Sequence, residues 1–150
     1  MKKDKHSYWR ISPLIGHTYV ALEQGGEHTP IASWALDLEY WWSERAGLGL
    51  HNDLEIESFV VQNEKGEFIS RNFPLVTSLD LLTKPWKELV LYAGPGIEFD
   101  RNESFILMRV GLEYEFLIDE KFDLAPTFFY DNRFNAFNTW TFAFGVGYRL

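Results

Sequence analysis

The chain contains no cysteine, so it holds neither a disulfide framework nor a thiolate-ligated metal. Basic residues are few: 14 Lys and Arg stand against 22 Asp and Glu, a formal net charge of −8. That balance argues against a surface built to grip phosphates, and nucleic acid is not an expected partner. Long apolar runs are missing too. Nothing approaches the roughly 20 consecutive apolar residues of a membrane-crossing helix, and the charged opening Met1–His6 is followed by no apolar stretch of the secretory kind. No Pro- or Ser-rich linker and no shift of composition divides the 150 residues, which read as one domain, 1–150.

What the chain does have is aromatics, 17% of its residues, and a period of two. From Trp34 onward, Trp34, Leu36, Leu38, Tyr40 and Trp42 alternate with Ser33, Ala35, Asp37 and Glu39. Such alternation makes a strand with one oily and one polar side. Turn signals cut the chain into eight segments of this kind: Tyr8–Leu22, Ile31–Trp42, Gly47–Val61, Phe73–Leu82, Glu88–Asp100, Phe105–Ile118, Phe122–Asp131 and Thr139–Leu150. Most reach the roughly 9–11 residues with which a tilted strand crosses a bilayer. Ser43–Ala46 and Asp119–Lys121 read as tight turns, whereas Glu23–Pro30, Gln62–Asn72 and Asn132–Asn138 read as longer polar loops. The expected fold is all-β: an eight-stranded antiparallel up-and-down transmembrane β-barrel with a polar lumen.

The direction of the faces decides between two versions of such a barrel. No charge interrupts the apolar set, in which Asn52, Ser58 and Thr77 are the main polar exceptions, and Arg or Lys there would cost about 2–4 kcal/mol each at a bilayer midplane. Pro13 leaves the phase of the first segment, and so the face of His17, open. An eight-stranded interior is only just filled by side chains. Trp, Tyr and Phe from almost every strand would overfill it, whereas the opposite face offers Gly47, Gly49, Gly94, Gly96, Gly111, Gly145 and Gly147. The oily face is therefore expected outward, against lipid, with Trp34, Tyr40, Trp42, Trp140 and Tyr148 at the membrane interfaces. The competing version is a soluble β-barrel with the aromatics around an internal ligand.

The chain ends on Gly145, Tyr148 and Leu150, a Gly five residues before the end and an aromatic two before it. With the eight alternating segments, this resembles the small eight-stranded outer-membrane barrels of diderm bacteria, the OmpA-transmembrane-domain, OmpX and OmpW type, often labelled porin-like. The resemblance implies a bacterial outer-membrane location with the signal peptide removed, a lipid bilayer as surroundings, and a monomer. It also implies recognition of Gly145, Tyr148 and Leu150 by the outer-membrane assembly machinery. Leu150 departs from the usual Phe or Trp.

The inward face carries an acidic polar network: Asp37, Glu39, Asp53, Glu55, Glu57, Asp80, Glu98, Glu113, Glu115 and Asp131, with His51, Arg109 and Arg149 as partners. Placing Trp42 opposite Leu48 sets Glu39 against His51 and Asp37 against Asp53. Placing Ile118 opposite Phe122 sets Arg109 against Asp131. Glu39, His51, Asp37 and Asp53 are candidate metal ligands, although same-face neighbours on one strand lie about 7 Å apart and an ion must be gripped across strands. The plainer reading is a hydrated, salt-bridged interior with no cofactor.

The lipid A deacylase type of this scaffold uses His-x-Ser. His6-Ser7, His17-Thr18-Tyr19 and His51-Asn52-Asp53 do not match it, and no other catalytic set is evident. The expected function is non-enzymatic: structure, surface interaction or passage of very small solutes. The alternative is a membrane-embedded lipid-modifying enzyme or carrier of hydrophobic ligands.

Overall fold

Aromatic and β-branched residues spaced two apart stabilise pleated chain and leave one side of each strand without charge. The computed structural model describes residues 7–21, 28–56, 58–62, 66–100, 104–134 and 138–150. They form β1 (Tyr8–Ala21), β2 (His28–Trp41), β3 (Ala46–Glu55), β4 (Ser58–Gln62), β5 (Phe68–Asn72), β6 (Leu75–Trp86), β7 (Leu89–Phe99), β8 (Phe105–Tyr114), β9 (Phe116–Leu117), β10 (Phe122–Arg133) and β11 (Asn138–Arg149). No helix occurs among the described residues. The wall runs β1-β2-β3-β6-β7-β8-β10-β11, each strand antiparallel to the next, with β9 continuing β8 after Glu115. Because β11 pairs with β10 on one side and β1 on the other, the sheet closes on itself as an eight-stranded barrel.

Closure abolishes free edges, and the two faces become an inside and an outside. Trp34, Phe142 and Phe144 point outward, 64%, 54% and 48% exposed, whereas Asp53 and Glu113 are buried. This contradicts the soluble version, in which the aromatics line an internal cavity. The interior still takes in a few large rings. Trp41, Tyr92 and Phe129 are buried with Leu82 and Val90, and each of the first two lies over a glycine of the neighbouring strand. Trp41 stands opposite Gly47, where a Cβ would come within 3.0 Å of the indole, and Tyr92 opposite Gly111, where it would come within 2.3 Å of the ring.

Three segments depart from the sequence reading. The third stops at Glu55 instead of running to Val61, because β4 turns away to pair with β5 as a separate hairpin. Its return passes through Phe73, at a left-handed φ of 44°, and Pro74, which has no N–H to give a ladder. The sixth is broken at Glu115, whose side chain is buried among cations. The ladder between β1 and β11 skips Ser12 and Pro13, and the tight turn between β6 and β7 places Lys87 at φ 46°, as a two-residue hairpin requires.

The β2–β3 and β6–β7 connections, the β9–β10 turn, the start of β1 and the end of β11 gather at one end of the barrel. Residues 1–6, 22–27, 57, 63–65, 101–103 and 135–137 lie outside the described residues.

Candidate functional site

The inner faces of the strands bring charged side chains into three groups along the barrel. Arg10 of β1 occupies the turn end, its guanidinium 2.7 Å from Asp123, 2.9 Å from Glu39, 3.0 Å from Glu113 and 3.4 Å from Glu115. Gly147 opens the space for it: a Cβ there would lie 2.4 Å from Arg10 Nε. Lys84 of β6 reaches Glu115 at 2.8 Å and donates to the Tyr8 hydroxyl at 3.1 Å, with its ammonium 4.6 Å from the Trp41 ring. Arg149 meets the same Glu115 at 2.9 Å and lies over Tyr8. These groups floor a mouth of about 350 Å³ rimmed by Glu44, Arg45, Lys87 and Glu88.

His51 of β3 forms the middle group. Its Nε2 lies 3.1 Å from Glu39 Oε2 and 3.8 Å from Asp37 Oδ2, and its Nδ1 lies 2.8 Å from Asp80 Oδ2. The Ser78 hydroxyl donates to that Asp80 oxygen at 2.7 Å. Tyr92 meets the imidazole edge-on at 5.0 Å and shares a 2.9 Å hydrogen bond with Thr127.

The third group is built on arginines. Arg109 makes a two-pronged pair with Asp131, at 2.7 and 2.8 Å, takes Asp53 as a further partner, and stacks over Phe129. Arg133 donates to Glu98 at 2.9 Å and Thr139 at 2.8 Å, and Arg71 of the β4–β5 hairpin donates to the other Glu98 oxygen at 2.6 Å. The hairpin is thereby tied to the wall.

Asp37, Glu39, His51, Asp53, Glu55, Glu98, Arg109, Glu113, Glu115 and Asp131 are all buried on this face, and Asp131 stands opposite Arg109 as the register argument requires. Glu57 and the side chains of Ser58 and Val60 lie outside the described residues. The β2–β3 register is two residues from the expected one. Tyr40, not Trp42, faces Leu48, so Asp37 stands opposite His51, Glu39 opposite Gly49 and Ala35 opposite Asp53. The cause is the turn, where the Ser43 hydroxyl accepts from the amides of Arg45 and Ala46 and takes up extra residues. Glu39 still reaches His51, because Gly49 between them has no side chain.

Arg10, Arg71, Lys84, Asp123 and Arg133 lie in this interior without belonging to the network expected from the sequence. Arg133 and Asp123 continue the inward parity of Asp131 and Thr127, a signal that was present. Pro13 obscured the phase of Arg10, and Arg71 sits in a segment read as loop.

On the outer surface, Trp34, Trp42 and Trp140 are exposed, and Tyr40 and Tyr148 pack against Trp9 at 4.8 Å and Phe122 at 5.0 Å. His17 points outward. Asn52 and Thr77 satisfy each other: Thr77 Oγ1 donates to Asn52 Oδ1, and Asn52 Nδ2 donates to the Leu36 carbonyl, both at 3.1 Å. Pro13, Leu14, Ile15, Trp34, Phe144 and Val146 line an apolar groove of about 430 Å³ on this surface. Gly145 faces inward, with Leu14 filling the place of a Cβ, and the Leu150 amide donates to the Trp9 carbonyl at 2.8 Å.

Comparison with solved structures places this architecture. Ail, the attachment invasion locus protein of Yersinia pestis, crystallised with the heparin analogue sucrose octasulfate, superposes with a TM-score of 0.64 at 15% identity, over 97% of this chain and 99% of that one. The chain has the fold of the small eight-stranded outer-membrane β-barrels. Neisserial surface protein A superposes at 0.65 with 9% identity, over 95% of this chain and 97% of its own. The N-terminal β-barrel domain of Pseudomonas aeruginosa OprF does so at 0.64 with 11% identity, over 94% and 97%. No family model matches the sequence, and no curated protein matches it.

Proposed function

We propose that this protein is a small bacterial outer-membrane β-barrel, a non-enzymatic scaffold with an acidic, salt-bridged interior that supports structure or surface interaction. The observation that carries the reading is the succession of buried ion pairs through the bore, from Arg10 with Glu39 and Asp123 to Arg133 with Glu98. Eight strands leave an interior that side chains fill, and each of these pairs lies across the path a solute would take.

The outer surface supports the bilayer assignment, since its uncharged, aromatic-rich exterior suits hydrocarbon better than water. With outward polar groups such as Asn52 and Thr77 already paired to each other, a lipid-modifying site gains no support. In this reading the chain inserts as a monomer whose signal peptide has been removed, and Gly145, Tyr148 and Leu150 serve the assembly machinery. Planar-bilayer recording of the purified, detergent-extracted protein tests the reading. The expected result is insertion without steady conductance. A sustained ion current, or a protein that stays monodisperse in buffer without detergent, overturns it.

A further inference from the structure

We propose that Asp37, Glu39 and His51 form a binding site for one divalent first-row transition ion of the Zn²⁺ type inside the barrel. Their candidate ligand atoms, one from each residue, lie within 4.8 Å of one another on two adjacent strands. Bonds of about 2.0–2.1 Å at tetrahedral angles put donor atoms about 3.3 Å apart. The 3.1 and 3.8 Å separations of His51 Nε2 from Glu39 and Asp37 bracket that value.

The surroundings orient each ligand. Both imidazole nitrogens of His51 face carboxylates, Nδ1 toward Asp80 at 2.8 Å and Nε2 toward Glu39 at 3.1 Å. A metal ion at Nε2 would take the place of the proton bonded to Glu39 and would leave a positive charge among the three groups, with the remaining imidazole proton on Nδ1 toward Asp80. A carboxylate behind a ligating histidine is the usual outer shell of such sites, and here the Ser78 hydroxyl in turn fixes Asp80. Glu39 is oriented through its other oxygen, Oε1, which accepts from Arg10 at 2.9 Å and from the Trp41 indole at 3.3 Å. Its Oε2 stays with the cluster.

Asp37 is the independent indication of a ligand. Its side chain is 8% exposed and faces His51 at 3.8 Å, yet it accepts no hydrogen bond from any described residue. A buried carboxylate is ordinarily paired or bound to a metal. Charge balance points the same way: among the described residues, ten carboxylates are buried against five Arg or Lys side chains and His51. The three protein ligands leave a fourth position for water.

The site goes beyond the proposed scaffold role, and its test does not pass through conductance. Untagged, detergent-folded protein, stripped with a chelator and exchanged into buffer, is titrated with Co²⁺ and followed by its visible bands, then with Zn²⁺ in competition. The expected result is one equivalent bound. Asp37→Asn and His51→Gln are expected to weaken binding at least 100-fold, Asp80→Asn about 10–100-fold, and His17→Ala, at an outward position, not at all. Migration of unheated samples on gels verifies that each variant is folded. Should His51→Gln not fold, Asp37→Asn decides, because Asp37 has no hydrogen bond to lose. Absence of a stoichiometric ion at about 1 mM metal, or binding that survives Asp37→Asn, overturns the proposal.

Discussion

Thr77 and Asn52, directly opposite each other on β6 and β3, form a hydrogen-bonded pair on the outer face of the barrel. Each would be a liability there alone. Pairing lets two polar side chains occupy a strand face that carries no charged residue among the described ones, because a satisfied donor and acceptor escape most of the desolvation cost of orphaned ones.

Thr77→Val should therefore be worse than the double change Thr77→Val with Asn52→Leu. The single variant strands the Asn52 carbonyl and is expected to lose about 1–3 kcal/mol, whereas the double variant stays near the parent. Urea-dependent unfolding in detergent micelles, arranged as a double-mutant cycle, measures the difference. A double-variant loss equal to the sum of the Thr77→Val and Asn52→Leu losses would show that the pair is not coupled.

The glycines are expected to differ in tolerance according to what lies above them. At Gly94 a Cβ would meet the Leu79 carbonyl oxygen at 1.9 Å, a backbone atom that cannot step aside, whereas at Gly147 it would meet the guanidinium of Arg10, a flexible group. Overpacking costs about 1–3 kcal/mol and more where backbone must move. Gly94→Ala should exceed Gly147→Ala in destabilisation, by at least about 1 kcal/mol in the same assay.

Asp119 gives the β9–β10 turn a pH dependence. Its Oδ1 accepts from the amides of Lys121 and Phe122, both at 2.8 Å, and these bonds hold its carboxyl below its usual value of 3.8. A depressed native value means that its contribution to stability is complete above the unfolded-state value and is lost as pH falls through the native one. The stability gap between the parent and Asp119→Ala should be constant from about pH 7 to 5 and narrow below about pH 4. A gap that widens with acid would contradict the assignment.

Most of the wall could be read from Trp34, Leu36 and Leu38, because a period of two writes the face of a residue directly into the chain. The same period hides register. Sliding β3 by two residues leaves all side chains on their faces while moving His51 from Glu39 to Asp37, and the turn closed by Ser43 accommodates the observed choice. The β4–β5 hairpin was illegible for a related reason. Ser58 and Val60 keep the outward parity of Leu54 and Ile56, and the return to the wall passes through the left-handed Phe73 and Pro74, far along the chain from Glu55. Pro13 blurs the phase of Arg10's strand, and yet Arg10 meets four carboxylates.

That last feature constrains how the molecule comes into being. Arg10 takes Asp123 as its partner from 113 positions later, and Glu113 and Glu115 also come late in the chain. An emerging N-terminal half therefore holds Arg10 with Glu39 but without Glu113, Glu115 and Asp123, along with an open ladder at β1. The ladder of β1 and the ion pairs of Arg10 are therefore completed only when the last strands are in place, so closure of the ring couples the two ends of the chain.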